Sequence, residues 1–322
     1  MFRRVGFVAW MACCFFGSFA VAASDYPSRP IRVIIPFAAG GSTDLVARFM
    51  ESPFSARTGQ RLIIENRGGA SSITGTMSVV QAKPDGYTML LTSSSYVVNT
   101  VTYKRLPYDA FKDLTPVSLL ASGPLVLVAH PSTGIRSVRQ LIDEARKNPG
   151  KLTYASGGTG SPPHLGAELF QMETGTKMLH VPYKGSGGAM ADLSGGHVQL
   201  MFAGFGQAKS FVDSGQLIAL AVTAPRRSVA YPNVPTLTEL GLGKVDAGTY
   251  WGALAPKGTP DDVVQTLSAL LSEIVKLPEV HDKLEELGYE TIGTTPDEYG
   301  KQLREEVGRW GPVVKTIGLA VD

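Results

Sequence analysis

The chain holds 322 residues, 43% hydrophobic and 18% charged, with a formal net charge of +2. Such a composition supplies core material for two domains of ordinary size. It excludes a disordered chain and a protein that holds nucleic acid by bulk charge.

The first element is a leader. Arg3 and Arg4 precede an apolar stretch over residues 5–20, and Val21-Ala22-Ala23 offers small residues for cleavage before Ser24. That pattern predicts a cleavable signal peptide over residues 1–23 and export to the periplasm. A retained membrane anchor would need a longer stretch followed by stop-transfer charges. Lipid attachment at Cys13 or Cys14 would need a better preceding sequence than Trp10-Met11-Ala12. Cleavage removes Arg3 and Arg4, taking Lys+Arg from 30 to 28, which matches the 28 acidic residues. It also removes both cysteines, so the expected mature chain has no disulfide, thiolate nucleophile or Cys metal ligand.

Beyond the leader, β-rich runs at 32–35, 62–65 and 87–91 alternate with helical patterns. Leu45, Val46, Phe49, Met50 and Phe54 form an apolar face at helical spacing, with Pro53 predicting a kink or an early end. Residues 71–83 read as a small-residue helix stopped by Pro84-Asp85-Gly86. This β-α-β-α-β order predicts a parallel sheet. Residues 117–121 and 125–129 read as strands on either side of Ser122-Gly123-Pro124. The second half repeats the theme, with a strand at 152–155, a Gly/Ser/Pro loop at 157–163 and a helix from His164 to 172. Strands at 198–202 and 217–222 follow. An apolar strand at 250–256 precedes helical patterns at 260–276, 279–287 and 296–317. Thr259 is the expected cap of the first, with Pro260 at its first position. A chain that leaves one lobe near residue 122 and returns near 250 crosses twice. The expectation is α/β, with two mixed, mainly parallel sheets flanked by helices and a hinge of two crossing strands. Lobe one is assigned 24–122 and 251–322, and lobe two 123–250.

Five Gly-Gly pairs occur, at 40, 68, 157, 187 and 195. Those at 40, 157 and 187 stand where a strand gives way to a helix. Free amides at helix N-termini attract anions, helped by the helix dipole, and glycine admits a ligand close to the backbone. The pairs at 68 and 195 read as tight turns. Phosphate fingerprints fail: neither G-x-x-x-x-G-K-[ST] nor G-x-G-x-x-G occurs. A carboxylate fits better. Four backbone hydrogen bonds to a charged group gross about 6–12 kcal/mol, and micromolar binding needs about 8 net. Grip from both lobes would therefore matter. No G-x-S-x-G elbow or HExxH is present, and no metal or cofactor is expected. Of five histidines only His164, opening a helix after a glycine loop, is a candidate for ligand contact.

Tyr26-Pro27-x-Arg29-Pro30-Ile31, Pro36-Phe37-Ala38-Ala39-Gly40-Gly41-x-x-Asp44, Glu65-Asn66-Arg67-x-Gly69-Ala70 and Pro84-Asp85-Gly86-Tyr87-Thr88 follow one another along the chain. With Pro107-Tyr108-Asp109, Tyr154-Ala155-Ser156-Gly157-Gly158-x-Gly160-Ser161, His180-Val181-Pro182-Tyr183-Lys184-Gly185 and Ala219-Leu220-Ala221-Val222, they resemble the Bug family. These are the TctC-like periplasmic substrate-binding proteins of tripartite tricarboxylate transporters, and the similarity spans essentially the whole mature chain. The resemblance implies a Venus-flytrap fold of the periplasmic-binding-protein type, with a cleft that grips carboxylates through main-chain groups and ordered waters. Carried onto this chain, the ligand residues are Phe37, Ala39, Gly40, Gly41, Ser42 and Asp44 in lobe one. Ser93, Ser94 and Ser95 adjoin them. In lobe two they are Thr159, Gly160, Ser161, Tyr183, Lys184 and Gly185. Asp44 would repel an anion and is read as a helix cap that orients the loop. Ala203 departs from the family, which often has Asp there, and implies a less polar or bulkier, even aromatic, ligand.

The resemblance also implies membrane permease subunits as partners and a monomeric receptor that is not an enzyme. Two other readings share the scaffold. One is a sensor that signals to a membrane partner. The other is a secreted hydrolase, which would need a nucleophile–base pair that the sequence does not reveal.

Overall fold

The structure, a computed structural model, describes residues 26–228, 231–319 and 321. The leader expectation and both cysteines lie outside the described residues. Among those residues no helix is long and apolar enough to cross a membrane.

The first β-α-β-α-β segment folds as its order predicts. Strand β1 (Ile31–Ile35) lies between β2 (Leu62–Asn66) and β3 (Thr88–Ser93), parallel to both. Helix α1 (Ser42–Thr58) does not end at Pro53, contrary to expectation, but runs to Gly59, whose φ of 68° stops it. A proline inside a helix costs about 3 kcal/mol. Burying Met50 and Phe54 on the same face returns roughly 1.5–3 kcal/mol each, which outweighs it. Helix α2 (Ile73–Val80) is shorter than the predicted 71–83. A 3₁₀ turn, Ala70–Ser72, precedes it, and α3 (Ser95–Thr102) follows β3.

The expected break at Ser122-Gly123-Pro124 is absent. Residues 114–129 form one sixteen-residue strand, β4 (Leu114–Ala129). From Leu114 to Pro124 it pairs antiparallel with β9 (Gly248–Pro256), and β9 pairs in turn with β3. From Leu125 to Ala129 it pairs with β7 (Leu200–Gly204) and β8 (Ile218–Val222). Beyond β7 lie β5 (Thr153–Ser156) and β6 (Leu179–Pro182), both parallel. The short β10 (Glu290–Thr291) joins β4 at Ala121 and Ser122. The order β2-β1-β3-β9-β4-β7-β5-β6 is therefore continuous, and β4 serves both halves. Pairing with β9 carries the strand through Ser122-Gly123-Pro124, and packing explains the glycine within it. A Cβ there would lie 2.5 Å from the Tyr289 ring.

Helices α4 (Val138–Lys147), α5 (Pro162–Thr174), α6 (Ser186–Ser194) and α7 (Phe205–Asp213) flank the second half. The C-terminal helices α8 (Asp261–Val275), α9 (Pro278–Glu286) and α10 (Pro296–Thr316) return to the first. Thr259 is not the cap of α8. Its hydroxyl donates to the Pro256 carbonyl at 2.8 Å, and Pro260 takes the capping position. α10 instead carries a complete capping box between Thr295 and Glu298. The architecture is two-lobed α/β, with β4 and β9 running between the lobes.

Helix α10 is seated on β9 through Tyr299, which is fully buried, and a Cβ on Gly252 would lie 2.2 Å from its ring. Gly252→Ala is expected to destabilise the protein by about 1–3 kcal/mol through overpacking. Urea unfolding checks this, with a lower midpoint at unchanged slope; an unshifted midpoint would contradict the packing of α10 on β9.

Candidate ligand-binding cleft

Five helix N-termini border one small cavity between the lobes. Gly41, Ser42 and Thr43 come from the start of α1, Ser93 and Ser95 from the β3–α3 junction, and Ser161, Pro162 and Pro163 from α5. Ser186 opens α6 and Gly204 precedes α7. Phe37, Leu125, Gly157 and Thr249 complete the wall. Seven of these residues carry hydroxyls and none is charged. Each helix tip presents roughly half a positive charge, so the cavity is electropositive without a cationic side chain on its wall.

The cavity measures about 30 Å³, room for a water or two, because the lobes touch. The Ala38 amide donates to the Lys184 carbonyl at 3.1 Å. A Cβ on Gly187 would stand 2.4 Å from the Ala39 carbonyl oxygen, and one on Gly68 2.8 Å from that of Lys184. Two expectations change here. The 187 pair does not precede a helix but lies in the first turn of α6, which opens at Ser186 with Gly185 as its cap. The Gly68 pair is more than a turn, since it lets the lobes meet.

The lobe-one loop is organised by Asp44, as its placement in the first turn of α1 suggests. Its carboxylate accepts from the Gly40 amide at 3.1 Å, from Arg48 at 2.9 and 3.2 Å, and from Asn66 at 3.1 Å. Burial pushes its pKa up, but Arg48, the Gly40 amide and Asn66 together hold it below the usual carboxylate value. Asp44 stays ionised and consumes the Gly40 N–H, leaving the Ser42 and Thr43 end of α1 to face the cavity.

The lobe-two loop works differently from the expectation of free amides. Pro162 and Pro163 fill the first two positions of α5 and have no N–H to offer. What α5 contributes is its dipole and the Ser161 hydroxyl. Ser161 is buried, and its Oγ has no hydrogen-bond partner among the described residues. His164 lies behind the loop. Its Nδ1 accepts from the Gly160 amide at 3.0 Å, and its ring stacks on His180 with centroids 3.9 Å apart. Tyr154 stacks on both rings and hydrogen-bonds Glu168 through its hydroxyl. Burial, then the neighbouring His180, lowers the His164 pKa to about 3, and burial lowers that of His180 to about 4. Both rings are neutral at pH 7.

A serine–histidine contact that sequence reading missed sits in this cluster. Ser156 Oγ lies 2.7 Å from His180 Nε2. Ser156 is fully buried and off the cavity wall, and its oxygen accepts the Gly158 amide at 3.1 Å. The pair braces the glycine loop and faces no substrate space.

Among the predicted site residues, Phe37, Gly41, Ser42, Ser93, Ser95 and Ser161 border the cavity. Ala39, Lys184 and Gly185 lie in the seam between the lobes, and Tyr183 donates to Asp192 at 2.6 Å. Gly40, Asp44, Gly160 and His164 shape the loops, while Ser94 and Thr159 do not reach the wall. Ala203 faces the core, and Gly204 forms the wall at that end of β7. The inference of a less polar ligand therefore has no side chain at the cavity to carry it. Gly157 lines the wall as the anion-binding reading of its glycine pair expects, whereas Thr43, Ser186 and Gly204 were missed although they adjoin residues singled out in the sequence. Leu125 and Thr249 come from β4 and β9, which only the topology brings here.

Residues 46–319 match the family model described as "Tripartite tricarboxylate transporter family receptor". The periplasmic binding protein BugD is 31% identical, covering 92% of this chain and 99% of its own, with a TM-score of 0.87. A Rhodopseudomonas palustris protein solved with adipate is 33% identical, covering 92% and 99%, with a TM-score of 0.88. MatC of the same organism, solved with bound malate, is 30% identical, covering 90% and 100%, with a TM-score of 0.85.

Two outcomes are expected from this geometry. Gly187→Ala should hold the lobes apart, so the Ala38 amide exchanges with solvent at least about tenfold faster while the β1 and β9 amides keep their protection. Unchanged exchange at Ala38 would refute the seam. The depressed histidine pKa values mean that the unfolded chain takes up protons near pH 6.5 that the native state refuses. Stability should be flat above that value and fall as pH drops toward 4, by at most about 1.4 kcal/mol per pH unit per histidine. His164→Asn should flatten this slope in thermal melts taken between pH 7 and 4.

Proposed function

The chain belongs to the tripartite tricarboxylate transporter receptor family, and from that premise we propose that it captures a small organic carboxylate between its lobes. It is a solute receptor with the two-lobed fold of periplasmic binding proteins. In the proposed cycle, lobe one (24–122 and 251–322) and lobe two (123–250) close on the ligand about β4 and β9. The closed receptor then delivers it to the membrane permease subunits of its transporter. Residues 1–23 act as the export signal, and the mature protein works as a monomer in the periplasm. The adipate and malate held by the two similar structures support aliphatic acids of about this size as first candidates.

One observation carries the reading. The buried Ser161 hydroxyl lacks a partner among the described residues, on the wall of a cavity ringed by helix tips and lined by no charged side chain among them. A buried hydroxyl left unpaired costs about 1–3 kcal/mol, and an anion's oxygen would relieve it. The Ser42 and Thr43 end of α1 would approach the same anion from the opposite lobe. Binding without reaction is favoured because no base among the described residues hydrogen-bonds the Ser161 hydroxyl. The neutral His164 spends Nδ1 on the Gly160 amide instead.

Calorimetry with adipate, malate and other C4–C6 dicarboxylates tests the reading. At least one should bind, and Ser161→Ala should weaken it roughly tenfold to a hundredfold, the worth of one hydrogen bond to a charged group, without lowering the melting temperature. Parent protein that binds no carboxylate, or full affinity in Ser161→Ala, would sink the assignment.

A further inference from the structure

Besides the cleft, the described residues form a much wider concavity of about 1330 Å³, a groove behind the hinge. Ser122, Gly123 and Pro124 of β4 and Gly248, Thr249 and Tyr250 of β9 form its floor. Thr249 also borders the front cavity, so the two spaces back onto each other across the paired strands. A hinge that shuts one side opens the other. The rear groove is wide because the front lobes touch, and it must narrow when they part.

Its walls carry opposite charge. On the lobe-one side Asp282, Glu285 and Glu286 of α9 and Glu290 of β10 line it. Among the described residues only Glu285 has a partner within ion-pair distance, His281 at 3.8 Å, which counts only if protonated, although Asp282 lies within 4.8 Å of the same ring. Asp282, Glu286 and Glu290 have no ion-pair partner among the described residues. On the lobe-two side stand Lys209, Arg226 and Arg227. Lys209 pairs with Asp213 at 2.7 Å and Arg227 with Glu239 at 2.8 Å, whereas Arg226 has no carboxylate partner among the described residues. A bridge already spans the hinge at one end, Arg309 to Asp246 at 2.8 Å, with Glu306 3.8 Å from the same guanidinium.

We propose that these facing walls are an electrostatic spring that makes the open form the resting state of the receptor. When the front parts, the acidic face of α9 and β10 swings toward Arg226 and Arg227, and attraction between the walls holds the groove narrow. Closing the front separates those charges, so ligand binding works against the spring and release is driven by it. The inference rests on the reading of the front cleft as a closing jaw, but it concerns the molecule without ligand. Because the charges are exposed, added salt weakens the spring. Screening acts over about 10 Å at 0.1 M and over shorter distances above that.

The absence of cysteine beyond residue 14 allows a direct test. Ile63→Cys on β2 and Leu179→Cys on β6, both at exposed sites on opposite lobes, take spin labels. Their separation is then measured by pulsed dipolar spectroscopy with no ligand added. In the parent at about 20 mM NaCl the long, open distance should dominate, and the short population should roughly double at about 500 mM. Neutralising Asp282→Asn, Glu286→Gln and Glu290→Gln together should raise the short population at both salts. Glu286→Arg alone should do the same, and Arg226→Glu in that background should restore the long distance. A parent already short at low salt would overturn the proposal. So would a distribution indifferent to both salt and neutralisation. Ser161→Ala reports on ligand binding and these distances are recorded without ligand, so the two readings fail separately.

Discussion

Everything in the cleft depends on where helix dipoles end. Five strand-to-helix junctions, from both halves of the sheet, discharge toward one point. A positive field made of backbone differs from one made of lysines. It is fixed by the fold and needs no side-chain ordering. Nor does it admit the pKa shifts by which a buried lysine neutralises itself. Hydroxyls suit such a field because they turn to accept or donate as the guest requires. The helix-facing wall can therefore stay uncharged while the space it encloses favours an anion.

The remaining local chemistry holds those helix starts in place. Asp44 ties the first loop through three donors, and the His164–His180–Tyr154 stack with Ser156 braces the second. Both devices use up polar groups within the protein itself. Glycines at 68 and 187 serve closure rather than binding, since each removes a Cβ where backbones of the two lobes meet.

Much of this was legible in the residues. The strand-to-helix junctions at Gly40 and Gly157 stand out as apolar runs that end in small residues, and the role of Asp44 follows from its place in a first turn. The lost amides of α5 were also in view, because Pro162-Pro163 announces two missing donors; reading the glycines ahead of the prolines concealed it. Other features were out of reach. Leu125 and Thr249 enter the cleft through pairing between segments more than a hundred residues apart. The start of α6 at Ser186 moved the 187 glycines from a loop into a packing seam. Ser122-Gly123-Pro124 looks like a turn, but its pairing with Tyr250, Thr249 and Gly248 of β9 keeps the chain extended, and the ring of Tyr289 explains why a glycine stands at 123.

That uninterrupted β4 has a consequence for how the molecule is built. The strand pairs with β9 in one lobe and with β7 and β8 in the other. Neither lobe owns it, so neither could be excised with its sheet complete, and the two halves are bound to fold as one cooperative unit. A connector paired along nearly its whole length, with register shifts against β9 only at Val117 and Leu120, also offers proteases little slack to cut.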